Sequence, residues 1–453
     1  MTAISKSKEM HTEVLIIGSG PAGSTIANKC IEAGKSTTMV DSYFGGTCAL
    51  RGCTPKKAME TITSAFWDSK KYSKAGFPQL SSFVDWHQLQ AHQAKFTEQV
   101  PYKKVQNLEE QGIKTIKGTA SFIDEHTLKV GDKKITADHI VIATGAKPMP
   151  LGIPGENFMI TNEDFFELTN IPENICIVGS GYIGFELSHI LAACGKKITL
   201  ISDSEKPLSK FDTDLVDHLT QATLDKGINI KMGFKAKAIK QNKEGFEIET
   251  TRIDDKKYTF QAELVIHAAG RTPAVQELNI QDIGIELNDY KGISVNKFLQ
   301  TKHKHIYAVG DVTGEMPFTE VAVYDARIAS HNLLNEKKKP ISYNNIPFGI
   351  FTNPPMAQVG KPPSDATKDH EVVEGSLKET FYQRTHLNSF GKYKVIYHKK
   401  DKTILGAAIM GTDAHSMVNT FALAIQKKMK IDDYKELFFI YPTAIQETKS
   451  FLG

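Results

Sequence analysis

The stretch Val14-Leu15-Ile16-Ile17-Gly18-Ser19-Gly20-Pro21-Ala22-Gly23 joins a short, wholly apolar strand to a glycine pattern and a helical run that continues through Ala33. A second strand, Ser36 to Val40, ends at Asp41, 18 residues past Gly23. Strand, GxGxxG, helix, strand and acid in that order form a βαβ unit for a dinucleotide. Gly18, Gly20 and Gly23 permit the tight turn and let the backbone approach a pyrophosphate at the helix N-terminus, while Asp41 can accept hydrogen bonds from an adenosine ribose.

The construction returns at Ile175 to Val178, Gly179-Ser180-Gly181-Tyr182-Ile183-Gly184 and Lys197 to Ile201, with Asp203 placed 19 residues past Gly184. Two such units imply two dinucleotides. Between them the pattern predicts a helical region from about Lys56 to Gln111, broken at Pro101. Strand-like segments follow and end at His139 to Gly145, before a linker around Pro148-Met149-Pro150. Leu264 to Arg271 closes the second unit, and His305 to Asp311 reads as a buried strand ending in an acid. From about Asn344 onward, strands at Tyr393 to Tyr397 and Ile404 to Met410 precede a helix near Ser416 to Lys428, the pattern of a separate α+β domain.

Behind the first unit, Gly45-Gly46-Thr47-Cys48-Ala49-Leu50-Arg51-Gly52-Cys53-Thr54-Pro55-Lys56-Lys57 sets two cysteines five positions apart. On the first turn of a helix such a pair can close a small disulfide ring. The helix N-terminus, with Arg51, Lys56 and Lys57, stabilises the thiolate produced when the ring opens. This is redox chemistry, a dithiol beside a flavin. Cys30, Cys176 and Cys194 read as packing residues. Five cysteines in 453 residues are too few for a disulfide scaffold, and an odd count suits a reducing compartment with one functional pair.

The opening MTAISKSKEMH has no apolar leader core, and no run approaches the ~18 apolar residues of a membrane span, so a cytoplasmic protein without a membrane partner is expected. A net charge of +3, with both signs interspersed, leaves no footprint for nucleic acid. The run Lys337-Lys338-Lys339 before Pro340 reads as a solvated linker. No set of residues is read as a metal site.

GSGPAG with Asp41, GGTCALRGCTPKK, IVIATGA, GSGYIGFE, AAGRTP, YAVGD and YPT run in that order from about residue 12 to 448. Together they resemble the pyridine nucleotide-disulfide oxidoreductases of the glutathione reductase, dihydrolipoamide dehydrogenase and mercuric reductase group. The resemblance implies an α/β fold of two Rossmann-like dinucleotide-binding domains plus a C-terminal α+β dimerisation domain. Residues 1–148 and 273–341 would form the FAD-binding domain, 149–272 the NAD(P)-binding domain, and 342–453 the dimerisation domain of a homodimer.

In such enzymes NAD(P)H reduces the flavin and the flavin reduces the disulfide. Carried over by position, Cys48 is the exchange thiol and Cys53 the flavin-side thiol. The resemblance further implies FAD contacts at Gly18, Gly20, Gly23, Asp41, Gly46, Thr47, Lys57, Gly118, Ala120, Thr144, Gly145 and Thr319, with Asp311 on the ribityl chain. NAD(P) contacts follow at Gly179, Gly181, Gly184, Glu186, Asp203, Gly270 and Arg271. Glu186 would pair with Lys56 or Lys57 and polarise the hydride-accepting ring. Position alone makes it an ordinary helical glutamate.

The pattern departs from its relatives at the C-terminal end. Members that act on disulfides carry His-Pro-Thr-x-x-Glu, an acid/base dyad for the thiols. Here Tyr441-Pro442-Thr443-Ala444-Ile445-Gln446-Glu447 puts tyrosine at the histidine and glutamine at the glutamate, unless a one-residue shift lets Glu447 serve. A phenol of pKa near ~10 is a poor proton acceptor at neutral pH. Tyr441 could equally pack at a dimer interface. Pro21 and Asn28 replace the serine and arginine that hold glutathione. Mercuric reductases share the tyrosine but end in a vicinal cysteine pair, where this sequence reads Ser450-Phe451-Leu452-Gly453.

Ser202-Asp203-Ser204-Glu205 follows the second strand of the second unit, where NADPH users carry arginines, so NADH is favoured. Lys206 and Lys210 keep NADPH open. The expected activity is electron transfer from NAD(P)H through FAD and the Cys48/Cys53 disulfide to a small-molecule acceptor that needs no histidine. A soft metal ion, a reactive oxidant or quinone, or a low-pKa disulfide meets that condition. A glutathione reductase-like or dihydrolipoamide dehydrogenase-like reductase is the alternative, and a flavoprotein redox sensor the non-enzymatic one.

Overall fold

Val14, Leu15, Ile16 and Ile17 are all buried because their strand, β1 (Glu9–Ile17), runs through the middle of a sheet covered on both faces. In the computed structural model, which describes residues 9–78 and 82–452, Val14 and Ile16 pack with Ile26, Ala27 and Cys30 of helix α1 (Pro21–Glu32). Leu15 and Ile17 face Phe122, Leu128 and Ile306 on the other side. β1 pairs in parallel with β2 (Thr37–Asp41) and with Lys133–Ile142, so that Ile17 stands opposite both Val40 and Ile142. Ile306–Ala308 extends the parallel part, and Thr127–Val130 with Ala120–Phe122 adds an antiparallel edge. This sheet lies in the first of two units, made of the residues up to Lys56, Ala91–Met149 and Gly270–Ser342.

The second unit collects Lys57–Gln90, Pro150–Ala269 and the chain from Tyr343 onward. Its parallel sheet has the order Asn229–Met232, Lys197–Ser202, Asn174–Val178, Leu264–His267. The alternation of β1 recurs there. Ile175 and Ile177 face Leu187 and Ile190, whereas Cys176 and Val178 face Ile239 and Ile248. A five-stranded antiparallel sheet includes Met356–Gly360, Lys392–His398 and Ile404–Met410. Helix Ala414–Gln426 covers it, with Met417, Val418 and Phe421 packed on Val359, Ala407 and Ile409. The expected α/β class with a C-terminal α+β part is therefore what the molecule has.

The helical region between the two nucleotide units differs from expectation. It consists of α3 (Cys53–Tyr72), Trp86–Thr97 and Val100–Glu110, and Pro101 sits in the first turn of the last. A proline there sacrifices no intrahelical hydrogen bond, so Pro101 starts a helix rather than breaking one. The interruption falls after Tyr72, near Gly76 at φ +95°. Lys338 also departs from a solvated linker: its Nζ donates to the carbonyls of Asn332 and Asn335 and caps helix Thr319–Leu334. Cys30, Cys176 and Cys194 are buried, and burial pushes each thiol up to about 12. Among the described residues no helix is long and apolar enough to cross a membrane.

Candidate active site

Gly18 has φ +106°, and a Cβ there would lie 2.3 Å from the Ala143 carbonyl oxygen; one on Gly23 would lie 2.0 Å from the Gly18 oxygen. Helix α1 thus starts hard against the sheet. Gly20 is its N-cap, and no side chain bonds its first amides, which leaves an N-terminus suited to a pyrophosphate. Asp41 Oδ2 accepts the Ser19 N–H at 2.6 Å and the Ser19 hydroxyl at 2.7 Å, and Oδ1 accepts the Tyr43 N–H at 3.0 Å. Ser19 Oγ in turn accepts the Gly45 N–H at 2.8 Å. The acid expected to face a ribose is therefore also the hub that fixes the loop, with lone pairs to spare, since a carboxylate offers about four.

The other residues expected around FAD sit in the same unit. The Gly118 N–H donates to the Asp41 carbonyl at 2.9 Å, next to buried Ala120. The Thr144 hydroxyl donates to the Ala274 carbonyl at 2.7 Å, and the Ala274 N–H returns to Gly145 at 2.9 Å. Gly270 and Arg271, expected at NAD(P), belong to this first unit, where Arg271 donates to the Ala146 carbonyl. Burial raises the Asp311 carboxyl above its ordinary range against the pull of Arg271. A desolvated carboxyl for hydroxyls, an open helix N-terminus for phosphates and a cradle only glycine can line fit a flavin dinucleotide.

The redox loop is locked to this turn. Gly46, at φ +73°, would place a Cβ 2.5 Å from the Gly20 Cα. Helix α2 (Gly46–Leu50) carries Thr47 and Cys48 and closes with the Arg51 N–H on the Thr47 carbonyl at 2.8 Å. The chain then restarts at Gly52, and Cys53 is the first residue of α3. The two cysteines therefore lie on two successive helices, not on one first turn, because Gly52 lets the chain fold back where a Cβ would stand 3.0 Å from the Thr47 oxygen.

Cys48 and Cys53 are free thiols brought to one hydroxyl: Thr319 Oγ1 donates to Cys48 Sγ at 3.3 Å and lies 3.5 Å from Cys53 Sγ. A hydrogen bond from the Cys48 thiol holds Cys53 at about 6, assisted by Thr319, Lys56 and its own helix-start amide against burial. The same bond, together with burial, pushes Cys48 well above the ordinary thiol range. Lys57 Nζ pairs with Glu60 at 2.5 Å and lies 4.9 Å from the Phe351 ring centre, while buried Glu186 accepts the Phe351 N–H at 2.9 Å.

The second fingerprint repeats the first. Gly179 is at φ +121° with a would-be Cβ 2.3 Å from the Ala268 oxygen, Gly184 would place one 2.1 Å from the Gly179 oxygen, and Gly181 has open space. The Gly179 N–H meets the Ile201 carbonyl at 2.8 Å, as the Gly18 N–H meets Val40 at 2.8 Å. The residue in the place of Asp41 is consequently Ser202, whose hydroxyl accepts from Ser180 at 2.9 Å. Asp203 lies one step beyond the strand and is exposed. The spacing of 19 residues thus marked the neighbour of the strand-end position. Lys206 is turned to Asp217 at 3.4 Å.

At the C-terminal end Tyr441 is 70% exposed, beside exposed Ile440 and Phe438. Glu447 Oε1 accepts the Tyr382 N–H at 2.6 Å while its Oε2 is buried without a hydrogen-bond donor among the described residues, and with tyrosine at position 441 a one-residue shift still leaves no imidazole for that carboxylate to orient. Gln446 is held through its own amide by Thr443 Oγ1 at 3.3 Å.

Residues 12–326 match the family described as pyridine nucleotide-disulphide oxidoreductase, and residues 346–450 match its dimerisation domain. A mercuric reductase of Staphylococcus aureus is 30% identical over 444 residues, spanning 96% of this chain and 81% of the relative. A glutathione reductase of Nostoc sp. is 28% identical over 454 residues, spanning 96% and 98%. Among solved structures, the HOCl-induced flavoprotein disulfide reductase RclA from Escherichia coli superposes with a TM-score of 0.87 at 25% identity, covering 97% of this chain and 99% of that one. Its Cu(II) complex gives 0.88 at 25% identity, covering 98% and 99%. The chain belongs to the pyridine nucleotide-disulphide oxidoreductase family, FAD-containing and NAD(P)H-dependent enzymes, and its dimerisation domain indicates a homodimer.

Proposed function

We propose that this enzyme passes electrons from NADH to a thiophilic metal ion, with Cys48 as the thiol that meets the acceptor and Cys53 as the flavin-side thiol. FAD, when bound, supplies the two-electron relay between NADH and the dithiol. The observation that carries the reading is the missing dyad: an exposed tyrosine at 441 where a histidine would act, and a glutamine at 446 where its carboxylate would stand. Reducing a disulfide acceptor leaves two sulfurs to be protonated, and general acid/base help of that kind is worth about 10²- to 10⁴-fold. Reducing a metal cation consumes electrons and no protons. The two thiols close to a disulfide, release their protons to water, and give two electrons to one ion or one each to two.

Likeness to mercuric reductases and to RclA, a structure of which is a Cu(II) complex, supports the same class. Asp203, one residue past the second strand, supports NADH by repelling a 2′-phosphate. The test is NADH oxidation by the flavin-loaded protein with Cu(II), Hg(II), glutathione disulfide or lipoamide as acceptor. Turnover with a metal should exceed that with either disulfide by about the lost acid/base factor, and Cys48→Ser should abolish it. Tyr441→His with Gln446→Glu should raise disulfide turnover more than the two single changes together. Disulfide turnover in the wild type that outruns both metals would overturn the acceptor class.

A further inference from the structure

A threonine hydroxyl has one hydrogen and two lone pairs, so Thr319 cannot donate to both redox sulfurs at once. Its O–H points to Cys48 Sγ at 3.3 Å, and at 3.5 Å from Cys53 Sγ either atom can be the donor. With the proton on Cys53, its S–H donates to Oγ1 while Oγ1–H donates to the Cys48 thiolate; with the proton on Cys48, the Cys48 S–H donates to the Cys53 thiolate as described above. Thr319 is held for this task. It opens the 16-residue helix Thr319–Leu334, whose Asp325 carboxylate accepts the Gly310 N–H at 3.1 Å, and a β-branched side chain has few rotamers to choose from.

We propose that Thr319 is a catalytic residue that moves the proton of the half-deprotonated dithiol between Cys53 and Cys48 through its hydroxyl; this rests on the assignment of Cys48 and Cys53 above. In the forward step the Cys53 S–H bond breaks as its proton goes to Oγ1, and the Oγ1 proton goes to the Cys48 thiolate, where a new S–H bond forms. The hydroxyl is regenerated, no electrons move and no outside proton is used. The result is a Cys53 thiolate beside Lys56 and a helix N-terminus, with Cys48 protonated. The reverse step frees the Cys48 thiolate to meet an acceptor.

The experiment uses flavin-loaded wild type and Thr319→Val, Thr319→Ala and Thr319→Ser, reduced anaerobically by two electrons and titrated from about pH 4 to 9, the span in which perturbed thiols ionise. Two readouts are taken: the long-wavelength absorbance of a thiolate against flavin, and the rate of Cys48 alkylation by iodoacetamide measured on the isolated peptide. Loss of a hydrogen bond to a charged sulfur should raise the thiolate midpoint by about one pH unit and slow Cys48 alkylation about tenfold in the Val and Ala variants. Serine should restore both. Val and Ala variants that match wild type in midpoint and rate, or a serine variant that restores neither, would overturn the proposal. The alkylation arm needs no flavin and still decides if a variant binds it poorly. No acceptor is present, so a wrong acceptor class leaves the result untouched, and a band that survives Cys53→Ser would instead indict the assignment of the two thiols.

Discussion

The two glycine fingerprints are the same object built twice, and they part company at one residue. In both, the first glycine abuts the carbonyl of the alanine just past a strand, Ala143 or Ala268, at 2.3 Å, and the third abuts the first at 2.0 or 2.1 Å, distances measured to a would-be Cβ. In the first, the strand-end position is an acid that anchors the loop; in the second it is Ser202, bonded to Ser180. Backbone crowding fixes the glycines, whereas the residue that meets the nucleotide is free to change. The first fingerprint alone is continued by a loop that brings a thiol pair against it.

The largest effects should come from the crowded glycines. Gly23→Ala and Gly184→Ala should each cost about 3 kcal/mol in thermal unfolding, because a backbone carbonyl must move, while Gly20→Ala and Gly181→Ala, with nothing nearer than 3.9 Å, should leave stability nearly unchanged. If Gly181→Ala unfolds as readily as Gly184→Ala, the two turns are not built alike. Gly23→Ala should also lose flavin, and Gly184→Ala should keep it while losing the response to NADH.

Next in size is a pH effect confined to the reduced first fingerprint loop. Cys53 falls from an ordinary 9.0 to about 6, so its contribution to stability is complete above the ordinary thiol value, declines as pH falls between the two, and is gone below about 6. Thiolate absorbance should therefore titrate with a midpoint about 6, and the reduced protein should lose stability through the window above it while the oxidised protein does not. Coincident melting curves for the two forms across that window would remove the point. The smallest effect concerns the divergent residue. Wild type should prefer NADH in kcat/KM; Ser202→Asp should strengthen that preference about tenfold, and Asp203→Arg should shift use toward NADPH by pairing with the 2′-phosphate. A wild type that prefers NADPH would break the argument from the acid.

Both βαβ units, their glycines and the C-terminal α+β part were legible because each is a local pattern: an apolar run, a fixed spacing, a change of period. Pro101 was misread because a proline opening a helix and one breaking it look alike until the flanking residues are placed. Asp203 was marked because it is the first acid past the second strand of its unit, but the strand Lys197–Ser202 ends 18 residues past Gly184 just as β2 ends 18 past Gly23, so the strand-end residue is Ser202 and the acid follows it. Thr319 meets Cys53 from 266 positions away, a contact no spacing rule reaches. Glu447 lay one residue from a familiar place, and its commitment to Tyr382 depends on a segment 65 positions earlier.

The contact between Gly46 and Gly20 bears on how acceptor preference can be reshaped. A glycine turn and a cysteine-bearing loop that meet backbone to backbone, with buried Leu50 packed at the Gly45 end, form one closely fitted corner. Between Gly46 and Gly52, Ala49 is partly exposed and Arg51 lies over the Tyr43 ring at 4.6 Å. Variation at Ala49, with Gly46 and Gly52 kept, is then a route by which laboratory selection could alter the surroundings of Cys48 while the glycine turn stays in place.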